Sequence, residues 1–187
     1  MLEITSPINE TQTFNNFSMK EKTPIVKINL RGDPNNKDFT NTIGKILGII
    51  LPIEVGSIAV KEKISIIAIG PNEWLIISNN IIKKSNNDFE LENVLFDSIS
   101  QTNLGAVTNV SNQFTIFSLR GSNIFEVLSK SSPFDFDTLS NNYSVQTLLN
   151  NIDVTIIKKD NENVDLLVRR SFSEHLWDWI KDSANLS

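Results

Sequence analysis

Four arginines each stand just after a run of apolar residues: Arg31 after Ile25 to Leu30, Arg120 after Phe114 to Leu119, and Arg169 and Arg170 after Val164 to Val168. A guanidinium offers a planar fork of donors matched to carboxylates, so cations at these places suit an acidic partner or ligand, or an ordinary surface ion pair. Sharing equivalent strand ends, they are expected to gather at one end of the sheets. Trp177 is the other residue that stands out. Phe172, Leu176, Trp179 and Ile180 share one face of the last helical pattern, and Trp177 projects away from it. It needs its own cover, either an amino-terminal arm or a subunit contact of the kind Trp anchors well. Arg31, Arg120, Arg169, Arg170 and Trp177 are therefore the partner-interface candidates.

No catalytic constellation accompanies them. The chain has no Cys, which removes disulfides, thiolate nucleophiles, iron–sulfur ligation and Cys-based zinc sites, and its one His, His175, has no second imidazole to share a metal. It reads as a helix-flank residue with a structural hydrogen bond. Neither a dinucleotide-binding glycine fingerprint nor a Walker loop occurs. Asp135 and Asp137, two residues apart in a loop, suit turn formation, and the triplet Arg31-Gly32-Asp33 has no secretory signal to make it an adhesion motif. No catalytic or metal residue is assigned, and no cofactor-binding residue is identified.

Composition narrows the class further. In 187 residues, 40% hydrophobic, there is enough apolar material for one compact unit. The net charge is −5, and no Lys/Arg cluster is interleaved with aromatics, which argues against a nucleic-acid surface. The amino terminus has neither a basic n-region nor an apolar h-region, and Ile46 to Val55 is too short for a bilayer and broken by Gly48 and Pro52. A cytoplasmic protein without membrane contact is expected. High Asn, Ile and Lys usage reads as compositional bias.

The elements that must position these residues follow from periodicity. Val26, Ile28 and Leu30 alternate with polar neighbours as a half-buried strand does, and a helix carrying Phe39, Ile43, Ile46, Leu47 and Ile50 follows. Three short strands lie between Gly56 and Ser78, then a helix from Phe89 to Gln101 and a strand from Gly105 to Val110. Phe114 to Leu119 opens the plan again. A helix with Ser122 at its N-cap position carries Ile124, Val127 and Leu128, strands cover Ile152 to Ile156 and Val164 to Val168, and Ser171 and Glu174 form a capping-box pattern before the last helix. The fold class is α+β: two ferredoxin-like β-α-β-β-α halves packed together, residues 24–110 with a closing strand and residues 111–187 without one. Residues 1–23 show no sustained period and read as a flexible N-terminal arm, or one that orders only against a partner.

Several segments carry a family resemblance. Gly70-Pro71-Asn72-Glu73-Trp74-Leu75-Ile76-Ile77, Val110-Ser111, Leu119-Arg120-Gly121, the run from Lys130 to Asp135, Gln146-Thr147 and the closing stretch from Val164 to Ala184 resemble, in that order, the gamma subunit of heterotetrameric sarcosine oxidase. The resemblance spans roughly residues 65 to 184. It implies a fold related to the folate-binding aminomethyltransferases and membership of a heterotetramer with alpha, beta and delta subunits. That complex oxidatively demethylates sarcosine to glycine, with tetrahydrofolate as one-carbon acceptor. FAD, FMN, NAD and zinc are implied for the other subunits, and none is expected in this chain. One departure is Lys130-Ser131-Ser132, where the family pattern has Lys-Gly-Cys. The alternative reading is a free-standing folate-binding relative of the aminomethyltransferases.

Overall fold

The computed structural model describes residues 6–81 and 90–186. The chain divides into two compact units, one from Pro24 to Ser111 and one that joins Thr5–Thr23 to Asn112–Ser187. The path starts with a hairpin, β1 (Thr11–Phe14) and β2 (Phe17–Glu21), that belongs to the second unit.

The first unit contains β3 (Ile25–Gly32), α1 (Lys37–Leu47), β4 (Ile58–Lys61), β5 (Ile64–Gly70), β6 (Glu73–Ile81), α2 (Glu90–Leu95) and β7 (Gly105–Asn109). Its sheet runs β4-β5-β6-β3-β7 with every neighbour antiparallel. Without the edge strand β4, that is the strand order of a ferredoxin-like unit. Val26, Ile28 and Leu30 point to the helices by the two-residue period of a strand and pack with Phe39, Ile43 and Leu47 of α1 and with Trp74 and Ile76 of β6. Burial of side chains this size stabilises by about 2 kcal/mol each. The Asn36 side chain caps α1 by accepting from the amides of Asp38 and Phe39, at 2.9 and 3.3 Å, and Gly48 ends it in the left-handed conformation at φ 63°. The helix therefore stops before Ile50, which is 90% exposed rather than part of the buried stripe. The indole N–H of Trp74 donates to the carbonyl of Pro52 at 2.7 Å and straps the following loop to the core.

The helix expected from Phe89 begins outside the described residues, and its observed part is not uniform. After Leu95 it widens into a π-helical turn, Phe96–Ser100, in which the Gln101 amide reaches back five residues to Phe96 O. The wider turn leaves Leu95 and Ile99 buried while Val94 and Phe96 face outward.

The second unit contains β8 (Phe114–Arg120), α3 (Ile124–Ser129), β9 (Tyr143–Leu149), β10 (Ile152–Asp160), β11 (Asn163–Arg169) and α4 (Ser173–Asn185). Its sheet is β1-β2-β8-β11-β10-β9, again antiparallel throughout. Phe117, Leu119, Leu166 and Val168 pack under Ile124, Val127 and Leu128 of α3 and Leu176, Trp177 and Ile180 of α4. Two start signals act differently from expectation. Ser122 is exposed and makes no cap bond, and the N-cap position of α3 falls on Asn123. Ser171 lies in a 3-10 turn, Arg170–Phe172, so α4 starts one residue late, with Phe172 at its N-cap, and the Ser171–Glu174 capping box does not form.

The expectation of a flexible arm over residues 1–23 is corrected where they are described. Phe17, Met19 and Glu21 turn inward while Ser18 and Lys20 turn outward, a strand period too short to stand out in the sequence. Phe17 is 3% exposed and Met19 1%. Met19 stands opposite Leu119, and Glu21, itself buried, accepts the Ile8 amide at 2.7 Å.

Candidate interaction surface

Arg31, Arg120 and Arg169 lie at strand ends and Arg170 just beyond one, but those of the second unit do not share one end of its sheet. Arg31 lies in the first unit opposite Glu73, the first residue of β6, and pairs with its carboxylate at 2.9 Å, where Asn29 also donates at 2.7 Å. Arg120 occupies the matching position in the second unit, opposite Asn163 at the start of β11, and donates to the Asn163 amide oxygen. The Asp160 carboxylate stands behind Asn163 and accepts from that residue's NH2 group at 2.7 Å. The Glu162 amide and Asn163 lower the Asp160 pKa, and Arg120 adds to the effect. Arg169 ends β11 opposite Phe114 and is exposed. Because β8 and β11 are antiparallel, Arg120 and Arg169 sit at opposite ends of the ladder, roughly 20 Å apart at strand spacing. The expected gathering at one end is thus not observed. Arg170 begins the 3-10 turn with its amide bonded to Gln113 O at 2.9 Å and lines a shallow cleft of about 770 Å³ with Gln113, Ser171 and Glu174.

Trp177 is corrected as a surface anchor. It is 1% exposed, stands edge-on to Phe117 with ring centroids 5.2 Å apart, and donates its indole N–H to Glu10 at 3.2 Å. Of its two alternative covers, the amino-terminal segment is the one observed. α4 is amphipathic over a wider arc than the stripe through Phe172 implied, and Phe172 itself is 46% exposed.

A cluster that sequence reading passed over is formed by Lys22, just after β2, with residues of β8, β10 and β11. Asp165 is buried, and its Oδ2 is held by Lys22 at 2.6 Å and Lys159 at 2.7 Å, while Ser118 donates to Oδ1 at 3.2 Å. Burial raises the Asp165 pKa, but the two ammonium groups outweigh it and hold the carboxyl below its ordinary range. Lys22 is lowered by its own burial, which a carboxylate shared with Lys159 offsets only in part. The signal was present in the alternation of Lys20 and Lys22 with Met19 and Glu21, yet a strand had to be recognised first.

Other polar groups serve turns. Asp33 accepts the Asn35 amide at 2.9 Å, and Asp135 accepts that of Asp137 at 3.1 Å. The departure at Lys130-Ser131-Ser132 is absorbed by loop bonds: Ser131 accepts the Asn150 amide and Ser132 the Phe134 amide, each at 3.2 Å. His175 is exposed, with Nε2 3.1 Å from Asn150 Nδ2. Among the described residues no group of three His, Cys, Asp or Glu side chains is placed to hold a metal ion, and no helix is long and apolar enough to cross a membrane.

Two units, each an antiparallel sheet with helices on one face and charged residues at its strand ends, define a repeated α+β fold. The chain matches the sarcosine oxidase gamma subunit family over residues 31–185 and belongs to that family. Among solved structures it is similar to a chain of the heterotetrameric sarcosine oxidase from Corynebacterium sp. U-96 in complex with pyrrole 2-carboxylate, with a TM-score of 0.79, 25% identity, and 90% of this chain and 84% of that one covered. The regulatory subunit of aspartate kinase from Thermus thermophilus aligns at a TM-score of 0.46 and 11% identity, over 88% of this chain and 96% of that one. No curated protein matches.

Proposed function

We propose that this chain is the non-catalytic gamma subunit of a heterotetrameric sarcosine oxidase, where it stabilises and orders an assembly with alpha, beta and delta subunits. In that reading the complex converts sarcosine to glycine by oxidative demethylation and passes the one-carbon unit to tetrahydrofolate. FAD, FMN, NAD and zinc belong to the other subunits, and this chain contributes contact surface. Family membership across residues 31–185 is the observation that carries the reading. The exposed strand-end cations Arg120 and Arg169 are the contact candidates that remain, since Arg31 already has Glu73.

Expression of the larger subunits with and without this chain tests the proposal. Flavin loading, turnover of sarcosine and thermal stability are expected to fall when it is left out, and equal values in both preparations remove the assembly role. Calorimetric titration of the isolated chain with tetrahydrofolate is expected to show no saturable heat. A saturable response turns the reading towards a free-standing folate-binding protein.

A further inference from the structure

The pleat that sends Met19, Phe117 and Leu119 to the helix side of the second sheet sends their neighbours to the other side. Strand register sets Thr11, Lys20, Ser118 and Asp165 in one cross-strand row, and Ser18, Arg120 and Asn163 in the next. Between them lies a groove of about 400 Å³ bordered by Ser18, Lys20, Lys22, Ser118 and Arg120. Glu21 also borders it, but its carboxylate is engaged by the Ile8 amide. Lys22 and Lys159 share the single carboxylate of Asp165, Arg120 rests on a neutral amide oxygen, and the Lys20 ammonium makes no hydrogen bond or ion pair among the described residues. Counting Glu21, Asp165 and the Asp160 carboxylate behind Asn163, four cations stand against three carboxylates, in a chain whose net charge is −5.

Spacing gives this excess a shape. Lys20 stands opposite Ser118, so Arg120 is its diagonal neighbour on the next strand, about 7 Å away. Side chains at i and i+2 of an extended peptide repeat at about 6.6 Å on one side. We propose that the groove seats an extended acidic segment of a partner polypeptide, whose alternate carboxylates meet Lys20 and Arg120. Lys22, tied through Asp165 to Lys159, adds a third cation to its border. The inference rests on the assembly reading above and names the chemistry of one contact within it.

The full-length chain is titrated with the acetylated, amidated peptide Glu-Ser-Glu-Ser-Glu, and separately with Gln-Ser-Gln-Ser-Gln and with inorganic phosphate. Saturable shifts are expected in the backbone amide signals of Ser18 to Lys22 and Ser118 to Arg120, weakening with added salt. The Gln peptide is expected to bind at least about tenfold more weakly. Lys20→Gln combined with Arg120→Gln is expected to produce a similar loss, and both side chains are exposed, so an unchanged melting temperature verifies the fold. Shifts elsewhere, equal binding of the Gln peptide, or phosphate binding as tightly as the Glu peptide each overturn the proposal, the last in favour of a small-anion pocket. In coexpression with the larger subunits, the double variant is expected to be released at lower salt than the parent chain. If the parent assembles and the variant assembles equally well at every salt concentration, the groove proposal fails and the assembly reading stands. If the parent itself fails to assemble, it is the assembly reading that falls.

Discussion

The two units lay down the same elements in the same order and finish them from different parts of the chain. β3 and β8, α1 and α3, β4 and β9, β5 and β10, β6 and β11, and α2 and α4 correspond position by position in the two sheets. The first unit closes with its own next strand, β7 beside β3, whereas the matching place beside β8 is taken by β2 from the beginning of the chain. The repeat is therefore one of architecture, and what it requires is an edge strand of suitable pattern, wherever along the chain that strand comes from. The two LRG triplets show the same economy of means. Leu30 and Leu119 are both fully buried and both arginines face the first residue of the neighbouring strand, but the partner is Glu73 in one unit and Asn163 in the other. One cation is neutralised within its own fold, and the other is left for something else.

The comparison breaks most readily at the borrowed strand. Deleting residues 1–23 removes the buried side chains of Ile8, Phe17 and Met19 and uncovers Trp177, and is expected to destabilise the second unit by at least about 5 kcal/mol. Hydrogen exchange should then show protection falling in β8 and β11 well before β3 and β6, and equal loss in both sheets contradicts the distinction drawn between them. Trp177→Ala and Trp74→Ala are each expected to cost about 4 kcal/mol, because both indoles are buried to 1% exposure and both N–H groups hold a segment against the core. Denaturant melts read the cost, and hydrogen exchange reads which sheet bears it.

Asp165→Asn is expected to cost about 3 kcal/mol, since it strands two ammonium groups around a neutral amide. The folded chain holds the Asp165 proton more weakly than the unfolded chain, so this contribution is complete above the ordinary aspartate range and is lost as pH falls through and below it. The acid limb of a stability profile should accordingly be flatter in the variant. Gly121→Ala is expected to cost about 2 kcal/mol, because φ is 123° and the new methyl group meets Asn16 O, a backbone atom of the β1–β2 turn. Gly32→Ala drives instead into the Phe39 ring, so relief by Phe39→Leu in the first unit, with no counterpart in the second, sharpens the contrast. Arg31→Gln should change stability by no more than about 0.5 kcal/mol, as an exposed pair would.

Much of this architecture was legible because buried strands and helices write their period into the sequence. Val26, Ile28 and Leu30, the run from Phe114 to Leu119, and Val164 to Val168 all lie in strands with buried apolar faces, and Ile124, Val127 and Leu128 form the buried face of α3. The hairpin was not legible because only Phe17 and Met19 mark its inner face and the third inward residue is a carboxylate satisfied by a distant amide. The arginines were placed correctly after their strands, but end-to-end grouping depends on strand direction, and antiparallel pairing separated Arg120 from Arg169. The asparagines set aside as bias also do structural work. Asn16, Asn103, Asn142, Asn150 and Asn151 all take positive φ, and the last two make the tight turn between Leu149 and Ile152. A strand–turn boundary shows in hydropathy, whereas the handedness of a turn shows only in which residue tolerates it.

A ribosome delivers this polypeptide from the amino terminus, and the pairing of Met19 with Leu119 spans a hundred positions. Residues 24–111 have all emerged before β8 does, so the first sheet has every strand it needs while Phe17 and Met19 still wait for theirs. The nascent chain thus carries an unsatisfied apolar edge through half of its synthesis. A product cut short before Phe114 keeps that edge for good, which makes premature termination a direct route to aggregation.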